Sequence, residues 1–394
     1  MAWFPSQLGA DEQGWKFDIV SLLAVIGGST IEKHKQVITA SRLGVIPRLL
    51  PAPDTLLNTD RPLRLPSVKD VTVYGVYSGT HTNELNFFAN LIHEDIESLQ
   101  QYEFRTYCIT YRDENMDMGK TEEGAEDKDV YIPVRTISKL NFVTVISILM
   151  TIGLFIWAGV IHDGVALIGL VSMSLSTSAA CLSSQWRPKL PKRRPGGAVP
   201  LGDVVIKTRG GAFVVVHCKE EITRELYLGM DVCEYVYEGT RHQLLLASST
   251  ILLMGAIIFF SNCGRTMQIA VGVAYIILNI LYWLIALLPS TQHETWDLDR
   301  YKIEELPKQE PQPQIFTEAL WYAIRETKDI EWVKKARLAP DTKHWDGWLQ
   351  EALDNCEDAH WDAVAAKNRW MSLAAEEKRE RERGKREEEE AKRE

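Results

Sequence analysis

No asparagine in this 394-residue chain is followed two positions later by serine or threonine, so it offers no acceptor for N-glycosylation. Its six cysteines (Cys108, Cys181, Cys218, Cys233, Cys263 and Cys356) share no regular spacing, which argues against a disulfide framework and for reduced thiols. Positive charge is short overall: a formal net charge of −10 excludes a general nucleic-acid binder, which must turn a basic face to phosphates. A basic leader is missing as well. The first apolar run, Ile19 to Gly28, follows Asp11, Glu12 and Asp18, and is expected to be a buried strand or short helix rather than a secretory signal. No Ser/His/Asp set or carboxylate pair of defined spacing is present, so no catalytic residue, cofactor or metal site is assigned.

Near-misses fail on physical grounds. The stretch "MGKT" (Met118 to Thr121) has the end of a phosphate-binding loop, but the first glycine of that motif would fall on Glu114, and surrounding acids repel phosphate. Gly210 and Gly211 in "TRGGAF" suit a turn better than a phosphate cradle. His217, Cys218 and Cys233 are rejected as zinc ligands because adjacent strand residues point to opposite faces. His293, Asp297 and Asp299 make no recognised metal spacing.

What the sequence does have is two long apolar blocks. Leu140 to Ile161 contains no charged residue, and about 20 such residues cross a hydrocarbon core as a helix. The link "HDG" (His162 to Gly164) then leads into Val165 to Leu182, whose polar members are serines and threonines. The second block repeats the design, with Leu244 to Phe260, the link "SNCGRT" and Met267 to Leu288. Links this short force antiparallel pairs, so four spans in two hairpins are expected. Ser172, Ser176 and Ala180 recur every fourth residue as a small-residue packing face, and Asn279 is expected to bond between helices. Cys181, near the end of the second span, is a candidate for acylation, with a packed thiol as the preferred alternative.

Basic residues collect beside the spans on one side only. Arg135, Lys139, Arg187, Lys189, Lys192, Arg193, Arg194 and Arg241 flank the ends shared by the N-terminal region, the central loop and the C-terminal region, against Arg265 at the other side. Arg and Lys stay on the cytoplasmic side of membrane proteins, so both termini and the central loop are expected in the cytosol of a plasma membrane or endomembrane. Arg187, Lys189, Lys192, Arg193 and Arg194 are also candidates to bind anionic lipid headgroups, about 1 kcal/mol each.

The remaining segments divide by pattern. Residues 1–139 are mixed, with a strand-like Val71 to Tyr77, a possible helix from Phe87 to Leu99 and a solvated acidic loop from Arg112 to Asp129. Two hairpins occupy 140–182 and 244–288. Between them, 183–243 hold a proline-rich tether and an α+β insert: two β-branched runs about Gly210-Gly211, a short helix stopped at Gly229, and a strand in "CEYVYEG". Residues 289–375 read as helical, with Trp345, Trp348, Leu349, Ala352 and Leu353 on one face and Thr342 as a cap. The tail 376–394 balances nine acids against eight bases and is expected to be disordered or a single helix.

The run from "SQWRPKL" through "GDVVIKTRGGAFVVVHC", "RELY" and "LLMGAIIFFSNCGRTMQIAVGVAYIILNILYW" to "HETWDLDRY" resembles a group of multi-pass membrane proteins from filamentous fungi, over roughly residues 135–350. The resemblance implies the four-span layout and no activity, since none is established for that group. The expected fold class is therefore mainly α: an integral membrane protein with four transmembrane helices in two hairpins, a small cytosolic α+β insert and a helical C-terminal region. The expected function is a non-enzymatic scaffold or adaptor with cytosolic protein partners. A channel or transporter lined by Asn279 and the serine-rich second span is the runner-up; charge-free spans weigh against it. A membrane-bound enzyme ranks last.

Overall fold

A computed structural model describes residues 28–57, 61–93, 96–112, 131–190, 200–229, 232–288, 295–358 and 360–391. The 19–27 run, the acidic loop from 113 onward, "MGKT", His293 and the basic residues Lys192, Arg193 and Arg194 lie outside them. In chain order the described helices are α1 (Gly28–Ala40), α2 (Phe87–Ile92), α3 (Lys139–Val160), α4 (Gly164–Ser183), α5 (Glu220–Ile222, running on as a π-helical turn over Thr223–Leu228), α6 (Gly239–Asn262), α7 (Arg265–Leu287), α8 (Phe316–Thr327), α9 (Glu331–Lys335), α10 (Lys343–Asp354) and α11 (Ala363–Ala391). The strands are β1 (Val68–Gly75), β2 (His81–Leu85), β3 (Phe104–Tyr111), β4 (Trp186–Lys189), β5 (Val204–Thr208), β6 (Phe213–His217), β7 (Val232–Tyr235) and β8 (Tyr301–Glu305). They fall into two compact units.

The first unit comprises Met1–Arg64, Val130–Lys189 and Val232–Leu298. Helices α3, α4, α6 and α7 are each long and apolar enough to cross a membrane. Side-chain caps set the starts of α3 and α4: Ser138 accepts from Asn141 N, and Asp163 Oδ1 accepts from Ala166 N at 3.0 Å. Asp163 Oδ2 also accepts from Gly264 N at 2.8 Å, tying the two hairpin links together. The helices invert the soluble pattern. On α3 the exposed residues include Phe142, Val145, Leu149, Ile152, Ile156 and Val160, while Asn141, Thr144, Ser147 and Thr151 are buried. On α7 Ile269, Val273, Ile276, Ile280 and Leu284 are likewise exposed. An apolar outside around a polar inside suits lipid and not water, and suggests a membrane-embedded protein.

Residues 28–57, expected outside the helical hairpins, are in fact packed into this unit. Leu49, Leu50, Leu56 and Ile31 are fully buried with side chains of the four apolar helices. Their apolar runs are broken by Arg48 and by Pro47, Pro51 and Pro53, so a hydropathy reading passes over them. The start of the basic stretch also differs from the expected free tether. β4 pairs antiparallel with β7, matching Trp186 to Tyr235 and Lys189 to Val232. The "CEYVYEG" strand therefore belongs to this ribbon, because its partner is the segment that follows α4.

The second unit comprises Leu65–Asp129, Leu190–Asp231 and Asp299–Glu394. Its six-stranded sheet runs β2-β1-β5-β6-β3-β8, antiparallel except for the β6–β3 pair. The expected hairpin is its centre: β5 and β6 meet across Gly211, whose φ of 82° requires glycine. The insert is thus no separate module. Both faces of β5 and β6 are covered, which explains why Val204–Ile206 and Val214–Val216 read as continuous β-branched runs. One face carries Tyr74, Phe104, Val205, Phe213 and Val215 against Leu320, Ile324, Trp332 and Trp348. On that side α8, α9, α10 and α11 form the helical region, and Thr342 caps α10 by accepting from Trp345 N at 3.4 Å. α11 continues through most of the charged tail.

Candidate functional site

In the bundle of the first unit, hydroxyl groups do the cross-linking. Ser176 on α4 and Ser249 on α6 bond reciprocally, each hydroxyl donating to the other's carbonyl at 2.8 Å. The pair is buried, as is Ala180 one turn on, while Ser172 one turn earlier is half-buried. Asn279, expected to bond between helices, donates instead to the carbonyl of Tyr275 on its own helix at 3.1 Å. A side chain with one turn of helix below it meets that carbonyl before it reaches a neighbour. Cys181 is fully buried beside Leu140, Tyr282 and Ile285, where its sulfur packs as an apolar group and no acyl chain could be attached without opening the fold.

The inserted N-terminal segment supplies a feature of this interior that sequence reasoning missed. Leu49 N donates to Thr151 Oγ1 at 2.9 Å, Ser147 Oγ donates to the Leu49 carbonyl, and Ser178 Oγ donates to the Val45 carbonyl. Arg48 is fully buried, and its Nη1 donates to the carbonyls of Leu43, Gly44 and Ile46 at 3.2, 2.7 and 3.3 Å. No local signal in "RLGVIPRLLPAP" announces this place, because it depends on hydroxyls of α3 and α4 far off in the chain.

A recess of about 270 Å³ lies where the ribbon meets α1, lined by Glu32, Lys35, Gln36, Arg61, Trp186 and Tyr235 among others. Arg61 stacks over the Tyr235 ring at 4.5 Å and donates to the carbonyls of Ser183 and Tyr237. Trp186 Nε1 donates to Gln36 O at 2.9 Å. Strand alternation turns Trp186 and Pro188 inward and leaves Arg187 exposed and Lys189 half-buried, 3.4 Å from Glu234. Two of the five basic candidates therefore stand on the ribbon; the other three lie outside the described residues.

The second unit carries two polar clusters and a recess. His217 Nδ1 lies 2.9 Å from Asp203 Oδ2, and its Nε2 lies 3.6 Å from Glu326 Oε2. Hydrogen bonding to Asp203, with Glu326 adding to it, raises the imidazole to about 9. Glu326 is held below the usual carboxylate range by the same ring. Behind the sheet, buried Glu225 accepts from Tyr111 and Tyr301 at 2.9 Å each and from Arg300 at 3.1 Å. Burial raises its carboxyl, and Arg300 opposes that rise. His93, packed edge-on against Tyr107 and 2.8 Å from Tyr227 Oη, is pushed down to about 3 by burial. A polar recess of about 580 Å³ between Gln100–Arg105 and Lys308–Gln314 has the size of a ligand site but joins Glu103 to Arg105 and Lys308 in closed ion pairs.

Of the sequence-rejected zinc set, Cys218 is buried beside Thr223, and its thiol is pushed up to about 12 by burial. Cys233 belongs to the other unit. Among the described residues no three His, Cys, Asp or Glu side chains stand together as a metal site. Comparison with protein-family models, curated proteins and solved structures finds no match.

Proposed function

We propose that this chain is a multi-pass membrane protein with both termini and the sheet unit in the cytosol, working as a non-enzymatic scaffold or adaptor that presents that unit to cytosolic proteins. One observation carries the reading. The six-stranded sheet takes β1, β2 and β3 from before the first apolar hairpin, β5 and β6 from between the hairpins, and β8 from after the second. Strands hydrogen-bond only when their segments share one side of a bilayer, and two helices between successive segments satisfy this. The excess of Arg and Lys on the flanks supports the cytosol as that side.

The Ser176–Ser249 pair closes α4 against α6, which supports a scaffold over a conducting path. Arg187 and Lys189 on the ribbon, with Lys192, Arg193 and Arg194 beyond it, then meet anionic headgroups. The test is a biotin ligase fused after Glu394 in the native cell, with flux measured in parallel on vesicles holding the purified full chain. Labelling of soluble cytosolic proteins, lost when the sheet unit is disrupted by Phe213→Asp, is expected, with flux no higher than in empty vesicles. Solute-selective flux from the purified protein would overturn the scaffold reading.

A further inference from the structure

The apolar hairpins are not the whole of the membrane-facing fold. We propose that residues Ser41–Leu57 form a re-entrant segment, which enters the bilayer from the end of the bundle where α3 starts and α4 ends, reaches about mid-depth, and returns to that same end without crossing. This rests on the membrane reading above and adds to it an element that no hydropathy window reveals.

The depth follows from what the segment touches, in order. Ser41 Oγ donates to Asn141 Oδ1 at 2.9 Å, two residues into α3. Val45 is held by Ser178, five residues before the end of α4. Leu49 is held by Ser147 and by Thr151, which stands twelve residues into α3, about 18 Å along its axis. Leu49 also packs in one core cluster with Tyr275, which stands twelve residues before the end of α7 and so about 18 Å from the same side. Two independent helices thus give one depth, close to the middle of a core about 30 Å thick. Arg61 marks the return, donating to the carbonyl of Ser183 at the last residue of α4.

Irregular backbone survives at membrane depth only where its polar groups are satisfied inside the protein. Here the sequence removes donors and supplies partners. Pro47, Pro51 and Pro53 carry no N–H. Ser147, Thr151 and Ser178 serve Leu49 and Val45, and the Arg48 guanidinium, folded back on its own loop, serves three carbonyls. Gly44 permits the tight entry, because a Cβ there would lie 2.2 Å from the Ile38 carbonyl. A segment lying on the surface would need none of these devices.

The experiment uses the full chain in lipid nanodiscs, with half-buried Cys108 and Cys356 changed to serine and a spin label placed at Asp54→Cys, Ile152→Cys or Leu201→Cys. Collision with oxygen against a water-soluble nickel chelate reports depth. The label at 54 is expected to match the one at 152, oxygen-rich and nickel-poor, and to differ at least tenfold in that ratio from the one at 201. A label at 54 matching 201 while 152 remains oxygen-rich overturns the re-entrant segment and spares the membrane reading. A nickel-rich label at 152 overturns both. Hydrogen exchange on the unsubstituted protein gives a second reading: the 43–57 peptide should exchange as slowly as α3, and exchange within seconds overturns the proposal even if Asp54→Cys misfolds.

Discussion

Replacing His217 by glutamine removes a cation held between Asp203 and Glu326, and its effect should depend on pH in a defined direction. The folded imidazole titrates at about 9 against 6.5 when unfolded, so the folded state holds the proton more tightly. Its contribution is complete below pH 6.5, falls as pH rises from there through about 9, and is absent above. Glu326 works the other way: its carboxyl is lowered in the fold, so its contribution is present above 4.5 and lost as pH falls through the folded value. By linkage the imidazole alone sets a ceiling of ~3 kcal/mol. Solvent reaches the ring, which is 28% exposed, and screening reduces this to about 2 kcal/mol. For a unit of this size that is roughly 4–8 °C in Tm. Thermal unfolding followed by the fluorescence of Trp321, Trp332 and Trp348, which line the sheet's core, should therefore show His217→Gln melting about 6 °C below the parent at pH 6 and within ~1 °C of it at pH 9.5. An equal loss at both pH values would refute the argument, since it would assign the effect to packing instead of charge.

Four further outcomes are expected. Ser176→Ala and Ser249→Ala should each cost about 0.6 kcal/mol of bundle stability in denaturing detergent, since each removes one hydroxyl-to-carbonyl bond between α4 and α6; no loss in either variant would mean that the reciprocal bonds contribute nothing. Trp348→Ala leaves a hole in the helical region and removes the Nε1 bond to the Ala363 carbonyl, so a loss of about 3–5 kcal/mol and faster proteolysis of α11 should follow, checked by chemical unfolding and limited digestion. Tags at either terminus or beside exposed Leu201 should become reachable only after permeabilisation, whereas Ser261→Cys, exposed in the last turn of α6 where nearby Cys263 is buried, should react from the opposite side. Changing Arg187, Lys189, Lys192, Arg193 and Arg194 together to glutamine should reduce the anionic lipid retained by the purified full chain while orientation is kept, and unchanged retention would rule out lipid contact by this stretch.

The four long helices were legible because their signal is local: some 20 charge-free residues in a row have one inexpensive conformation in lipid and few in water. The β5–β6 hairpin was legible for the same reason, through a Gly-Gly turn between β-branched runs, and so was α10, through Thr342 and a 3.6-residue period. Alternation within a strand, however, says that it pairs and not with what. Only the fold decided that β7 joins β4 and that β5 and β6 take their neighbours from residues 68–75 and 104–111. The same holds for His217, whose partner Glu326 lies more than a hundred positions away on α8. The segment Ser41–Leu57 was the hardest to read. Its prolines, two arginines and short apolar runs resemble a surface loop, and its place depends on hydroxyls of α3 and α4 that are 98 to 133 residues distant in the chain. Local sequence determines which backbone is affordable in each stretch; which polar groups meet to satisfy it is settled only when the helices come together.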